Sequence, residues 1–105
     1  MITDIEAKQL AIKKIDELGE EAKIPLSVLE DETISFDYGW MFFYQSEEYL
    51  STGNPGKMVG GNAPIIVDRY NASVHTTGTG QAEDYYIKKY SQLRNTPERF
   101  RKEII

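Results

Sequence analysis

One histidine limits the catalytic chemistry open to this chain of 105 residues. His75 is the only histidine and there is no cysteine, which excludes a two-histidine metal site, a thiolate site and a cysteine nucleophile. A serine–histidine–acid triad would have to use His75, yet no serine lies in a Gly-x-Ser-x-Gly elbow. We therefore predict that His75 is a packed or solvated side chain. The weaker alternative is a small enzyme that uses Asp37 or His75 as a base.

Two glycine-bearing segments resemble phosphate-binding loops only in part. The segment Gly53–Met58 (GNPGKM) is too short, and Met58 stands where a phosphate loop needs a serine or threonine for magnesium. The segment Gly78–Glu83 (GTGQAE) lacks the third glycine of a dinucleotide-binding turn and a surrounding parallel unit. We predict no catalytic residue, no metal site and no cofactor.

Acidic residues dominate the first half of the chain. Residues 1–50 hold 12 acidic and 4 basic residues, residues 51–105 hold 5 acidic and 8 basic ones, and the net charge is −5. This charge disfavours binding to nucleic-acid phosphates. The carboxylates between Glu30 and Glu48 lack the Asp-x-Asp-x-Asp-Gly order of a calcium loop. They are either solvated charge at strand ends or a negative surface that steers a basic partner.

Helical and strand patterns alternate along the chain. Thr3 and Glu6 form a capping box before apolar residues at helical spacing, which predicts a helix. Gly19 is a candidate for its C-terminal end, and Pro25 ends any continuation. Alternating residues predict strands over 24–28, 38–44, 64–68 and 73–77, and a second helix begins at Glu83. We predict an α+β fold, in which an antiparallel sheet of about four strands carries the N-terminal helix on one face and has a second helix near the C-terminus.

The strand over 38–44 is apolar on both faces. Tyr38, Trp40, Phe42 and Tyr44 alternate with Met41 and Phe43, so a second element or a partner is expected to cover the second face. Tyrosines are enriched at interfaces because they combine an apolar ring with a polar tip. Together with the neighbouring carboxylates they predict a partner-binding set: Asp37, Tyr38, Tyr44, Glu47, Glu48 and Tyr49.

Five short motifs then follow one another along most of the chain. They are Gly39–Ser46 (GWMFFYQS), Tyr49–Gly53 (YLSTG), Gly60–Asp68 (GGNAPIIVD), Val74–Gly80 (VHTTGTG) and Tyr85–Tyr90 (YYIKKY). In this order they resemble the immunity protein 35 family, which includes the YrhB-like proteins of bacteria. The resemblance covers residues 5–93 and leaves 94–105 as a C-terminal tail, in which a short helix is one expectation and fraying the other.

The resemblance implies a small α+β immunity protein of a polymorphic toxin system, which binds and neutralises a cognate toxin domain in the producing cell. It implies no enzymatic activity and does not fix the toxin-binding surface. A basic toxin would suit the acidic first half of the chain, and edge strands leave a homodimer open as a prediction. The alternative function is a chaperone-like module that binds stressed or unfolded proteins through exposed aromatic side chains.

The sequence also bears on localisation. No segment approaches the 18–20 apolar residues of a membrane span. The N-terminus MITDIEAKQL is acidic and amphipathic, unlike a signal peptide. We therefore expect a cytoplasmic protein without membrane contact.

Overall fold

A long helix opens the computed structural model, which describes residues 1–104. Helix α1 spans Asp4–Ala22 and begins at the predicted capping box. The Thr3 hydroxyl accepts a hydrogen bond from the Glu6 N–H (3.2 Å), and the Glu6 carboxylate accepts one from the Thr3 N–H (3.2 Å). The small apolar face of α1 is fully buried at Ala7, Ala11 and Ile15. The N-terminal helix is thereby confirmed.

Helix α1 continues past Gly19, the first of the two predicted end signals, and ends before Pro25, the second. The helix continues to Ala22 and ends where Lys23 adopts a left-handed backbone conformation, with φ of 58°. Gly19 is buried because the chain that follows the helix passes close to it. A Cβ atom at position 19 would lie 2.8 Å from the Ile24 carbonyl oxygen. Gly19 therefore lets the chain fold back against the helix.

Six short strands form two antiparallel sheets. Strand β1 is Leu26–Val28, β2 is Ile34–Phe36, β3 is Gly39–Phe42, β4 is Tyr44–Ser46, β5 is Ile65–Asp68 and β6 is Val74–Thr76. The larger sheet has the order β2–β3–β5–β6, and β1 pairs with β4 in the smaller one. Strands β3 and β5 are in close contact at Gly39, where a Cβ atom would lie 2.0 Å from the Val67 carbonyl oxygen.

The predicted strand over 38–44 is divided in the structure. Asp37 and Tyr38 form a two-residue turn between β2 and β3, and the chain changes sheet at Phe43. Trp40, Phe42 and Tyr44 share one face, as predicted, but Tyr38 packs with the opposite core. Tyr38 departs from the alternation because it precedes the first paired residue of β3.

Helices cover both faces of the larger sheet. Helix α1 packs on the face that presents Trp40, Phe42, Ile65 and Val67. The other face presents Met41 and Ile66 to two C-terminal helices. These are helix α3 (Glu83–Leu93) and helix α4 (Pro97–Glu103), which follow the short helix α2 (Glu47–Thr52). The α+β fold is confirmed, and the chain itself covers the second face of the aromatic strand.

The C-terminal segment packs against this second core. Phe100 of α4 is fully buried, and its ring meets that of Tyr90 edge-on with 5.3 Å between centroids. Two single turns of 3₁₀ helix, Glu30–Glu32 and Pro55–Lys57, lie in the connections. None of the helices within residues 1–104 has the length and apolar character needed to cross a membrane.

Candidate functional site

The six residues predicted to bind a partner fall into two groups. Asp37 is exposed and Tyr38 half-buried in the β2–β3 turn, before β3 begins. Glu47 and Glu48 are exposed in the first turn of α2, with Tyr49 half-buried beside them. The two groups lie beyond opposite ends of β3, so the structure does not bring all six together.

Tyr44 lies in the core between these two groups. It is 8% exposed, and it packs in the same cluster as Trp40 and Phe42. Burial raises the pKa of its hydroxyl above the ordinary value. Its role in the structure is therefore to support β4, which leads directly into the acidic start of α2.

The acidic start of α2 lines a groove with the end of α1. The groove has a volume of about 440 Å³ and is lined by Asp16, Gly19, Glu20, Lys23, Ile24, Pro25, Leu26 and Glu47. We call this the acidic groove, because three of its lining residues are carboxylates and only Lys23 is basic. Glu47 is one of the candidate residues predicted from the sequence, whereas no sequence pattern placed Asp16 or Glu20 beside it.

Two hydrogen bonds hold Glu47 at the acidic groove. Its backbone N–H donates to the Pro25 carbonyl (3.0 Å), and its side chain accepts from the Ser27 hydroxyl (3.3 Å). The first bond continues the pairing of β1 with β4, in which Leu26 lies opposite Ser46. The short sheet thus fixes α2 against the segment that follows α1.

A second depression adjoins the acidic groove at Ile24 and Pro25. Its volume is about 460 Å³, and it is lined by Lys23, Ile24, Pro25, Ser46, Glu48, Gly56, Lys57, Met58 and Val59. We call it the Met58 depression. Gln45 anchors its outer wall, because the side-chain amide donates to the Val59 carbonyl (3.0 Å) and accepts from the Val59 N–H (2.7 Å).

A buried polar network holds the opposite part of the molecule. The Asp68 side chain is fully enclosed at the end of β5. Its Oδ2 accepts hydrogen bonds from the Tyr90 hydroxyl (2.6 Å) and Arg94 Nε (3.1 Å). Its Oδ1 accepts from Arg94 Nη2 (3.0 Å) and from the backbone N–H groups of Tyr70 (2.8 Å) and Asn71 (3.2 Å). Asp68 therefore ties α3 to the β5–β6 turn.

The same network sets the protonation of its members. Burial alone would raise the pKa of Asp68, but hydrogen bonds from Arg94, Tyr90 and two backbone amides outweigh burial and hold that pKa below its ordinary value. Burial, together with its hydrogen bond to Asp68, raises the pKa of Tyr90. The network is thus stable as a carboxylate, a neutral phenol and a guanidinium.

His75 joins this network and is packed, as predicted. It is 9% exposed, and its Nε2 lies 2.7 Å from the Ser73 hydroxyl and 3.2 Å from the Tyr90 hydroxyl. Burial lowers the pKa of His75; the negative charge of Asp68 opposes the shift, and Arg101 adds to it. The Asp68 carboxylate contacts Tyr90 rather than the imidazole, so Ser73, His75 and Asp68 do not form the relay of a hydrolytic triad.

The Asp68 network has the features of a structural element. Within residues 1–104, every buried side-chain nitrogen or oxygen has a hydrogen-bond partner. No group of three or more histidine and carboxylate side chains suited to a metal ion occurs in that same part of the chain. The Arg94 guanidinium also lies over the Tyr38 ring, 4.7 Å from its centroid, and so supports the β2–β3 turn. Asp68 and Arg94 were not predicted from the sequence, although a carboxylate ending a buried strand was a signal for this network.

Comparisons with known proteins identify relatives of this chain. The family described as Immunity protein 35 matches residues 6–92. Uncharacterized protein YrhB of Escherichia coli strain K12 is 34% identical over 61 residues, which cover 58% of this chain and 65% of that protein. No solved structure matches the chain. Because the family match spans most of its length, the chain belongs to the immunity protein 35 family.

Proposed function

We propose that this protein binds and neutralises a cognate toxin domain in the cytoplasm of the bacterial cell that produces both. The observation that carries the proposal is the match to the immunity protein 35 family over residues 6–92. In this proposal the chain acts by occupying a surface of the toxin, as part of a polymorphic toxin system, and performs no catalysis of its own.

The distribution of charge supports a basic toxin. The carboxylates of the C-terminal half of α1, the 3₁₀ turn at Glu30–Glu32 and the start of α2 are all exposed. A surface of one sign steers an oppositely charged partner and raises the association rate more than it raises affinity. We therefore propose that these segments face the toxin during its approach, and we keep the two predicted groups, at Asp37 and at Glu47, as candidate contacts.

The test is a pull-down combined with a toxicity assay. The product of the neighbouring gene is expressed with and without this protein, and cell survival and complex formation are measured. We expect a complex of the two proteins and protection of the cells. Absence of both binding and protection would refute the proposal.

The chaperone-like alternative has less support in the structure. It requires exposed aromatic side chains, yet Trp40 and Phe42 are buried. Tyr70, 54% exposed, is the one aromatic residue among residues 1–104 that is neither buried nor half-buried. Suppression of aggregation of several unrelated heat-denatured proteins, without a specific partner, would favour this alternative. A homodimer stays a prediction, which a measurement of the molecular mass in solution will decide.

A further inference from the structure

We propose that the acidic groove and the adjoining Met58 depression together receive a basic segment of the toxin, in which an arginine or lysine is flanked by an apolar side chain. This inference rests on the proposed function and names the chemistry of the partner at one site. It selects the Glu47 group over the Asp37 group as the place of contact.

The shape of this surface suits an inserted segment. The two depressions, of about 440 and 460 Å³, share Lys23, Ile24 and Pro25, so they form one continuous surface. Volumes of this size accommodate several side chains. Ile24 is 38% exposed and Met58 is 51% exposed, so both side chains leave apolar surface accessible to a partner. An apolar centre with a charged rim is the usual anatomy of a protein interface.

The charge of the rim selects a basic occupant. Asp16 and Glu20 line the acidic groove from α1, and Glu47 lines it from α2. Glu48, the next residue of α2, lines the Met58 depression. The two basic residues of the surface are Lys23 and Lys57, and Lys57 is 3.9 Å from the Glu48 carboxylate. The rim is therefore negative. A second copy of this chain that presented the same face would bring carboxylates against carboxylates, whereas a basic partner matches the negative rim.

The position of the α1 carboxylates provides an independent argument. The carbonyl end of a helix carries partial negative charge, so basic side chains are favourable there and acidic ones are unfavourable. The last turn of α1 has no basic residue, and Glu20 and Glu21 occupy it. The negative end of the α1 dipole and the carboxylates there together make the electrostatic potential at the groove negative. This arrangement destabilises the free protein and favours binding of a positively charged group.

The first experiment uses a peptide and does not depend on the toxin. A blocked peptide that alternates arginine with leucine is titrated into the isotope-labelled full chain, and the amide resonances are followed by NMR. We expect shifts centred on residues 16–26, 47, 48 and 58. The variant Glu20→Gln/Glu47→Gln should bind the peptide at least tenfold more weakly. The control Asp31→Asn/Glu32→Gln removes the same charge from an exposed turn and should change the affinity by less than twofold.

The second experiment measures the same two variants against the product of the neighbouring gene. We expect the groove variant to lose at least tenfold in affinity and the control to lose less than twofold. Equal losses in both variants, or peptide shifts centred on Glu30–Glu32, would overturn the groove proposal while leaving toxin binding intact. If the neighbouring gene product does not bind at all, the proposed function fails, and the peptide experiment still decides whether the groove selects a basic segment.

Discussion

The substitution Asp68→Asn tests whether the buried network holds the fold through charge. The asparagine side chain would have the same shape but only one acceptor oxygen in place of the two that now receive five hydrogen bonds. Removing one member of a buried ion pair costs about 3–5 kcal/mol. Because the Arg94 side chain is 18% exposed and can be partly hydrated, we expect a loss near the lower limit, about 3 kcal/mol at pH 7.

This loss is large relative to the stability of a domain of this size. Such domains unfold with a free energy of about 5–15 kcal/mol. A change of 1 kcal/mol shifts the melting temperature of a 60–100-residue domain by about 4–8 °C, so the variant should melt roughly 12–24 °C below the parent.

The effect of Asp68→Asn on stability should depend on pH, in a direction that the pKa of Asp68 sets. The pKa of Asp68 is lower in the folded state than in the unfolded chain, so its stabilising effect is fully present above the unfolded pKa of about 3.9. This stabilisation is lost as the pH falls through the folded pKa, because the Asp68 side chain of the parent is then protonated and uncharged. The difference between parent and variant should therefore shrink towards pH 3.

Urea denaturation at several pH values between 7 and 3 measures this difference. Asp37→Asn is the matched control, because Asp37 is exposed in the β2–β3 turn and should change the free energy of unfolding by less than about 0.5 kcal/mol. A difference for Asp68→Asn that stays constant across the pH range would refute the electrostatic argument.

Three further outcomes are expected from the structure. Gly39→Ala should destabilise the protein by about 1–3 kcal/mol, because its Cβ would overlap the Val67 carbonyl; Gly60→Ala has open space and is the control, and equal melting temperatures would contradict the prediction. Glu20→Gln should stabilise the protein by about 0.3–1 kcal/mol in low salt by removing charge from the carbonyl end of α1, and a loss of stability in urea denaturation would count against it. Below about pH 6.5 the free energy of unfolding of the parent should fall, since the unfolded chain takes up a proton that buried His75 resists, and in His75→Gln this fall should be smaller. A parent whose free energy of unfolding does not change with pH in that range would exclude this role.

Local signals in the sequence account for the parts of the fold that were predicted. The capping box of α1 needs only residues three positions apart, and the apolar alternation around Trp40 needs only neighbours along one strand. Tyr38 was misplaced because the two-residue turn interrupts the alternation one position before pairing begins. The sequence pattern carries no mark of that boundary.

Contacts between distant residues account for what the sequence did not reveal. Asp68 and Arg94 are 26 positions apart and meet only after α3 packs on the sheet. The acidic groove likewise depends on the hydrogen bond between Glu47 and Pro25, which brings α2 to the end of α1. Charge counts identified both halves of the groove as acidic, but only the pairing of β1 with β4 places them side by side.

The two-sided sheet has a consequence for synthesis of the protein. Met41 and Ile66 are fully buried against α3 and α4, which leave the ribosome after all six strands. At about 5–20 residues per second, the stretch from the end of β6 at Thr76 to Glu103 takes roughly 1–5 s to be made. During that interval one face of the sheet has no cover, and exposed apolar strands are prone to aggregate. Completion of the native fold would thus wait for the last helix, and slow codons beyond Thr76 would reduce the yield of folded protein without altering a single residue.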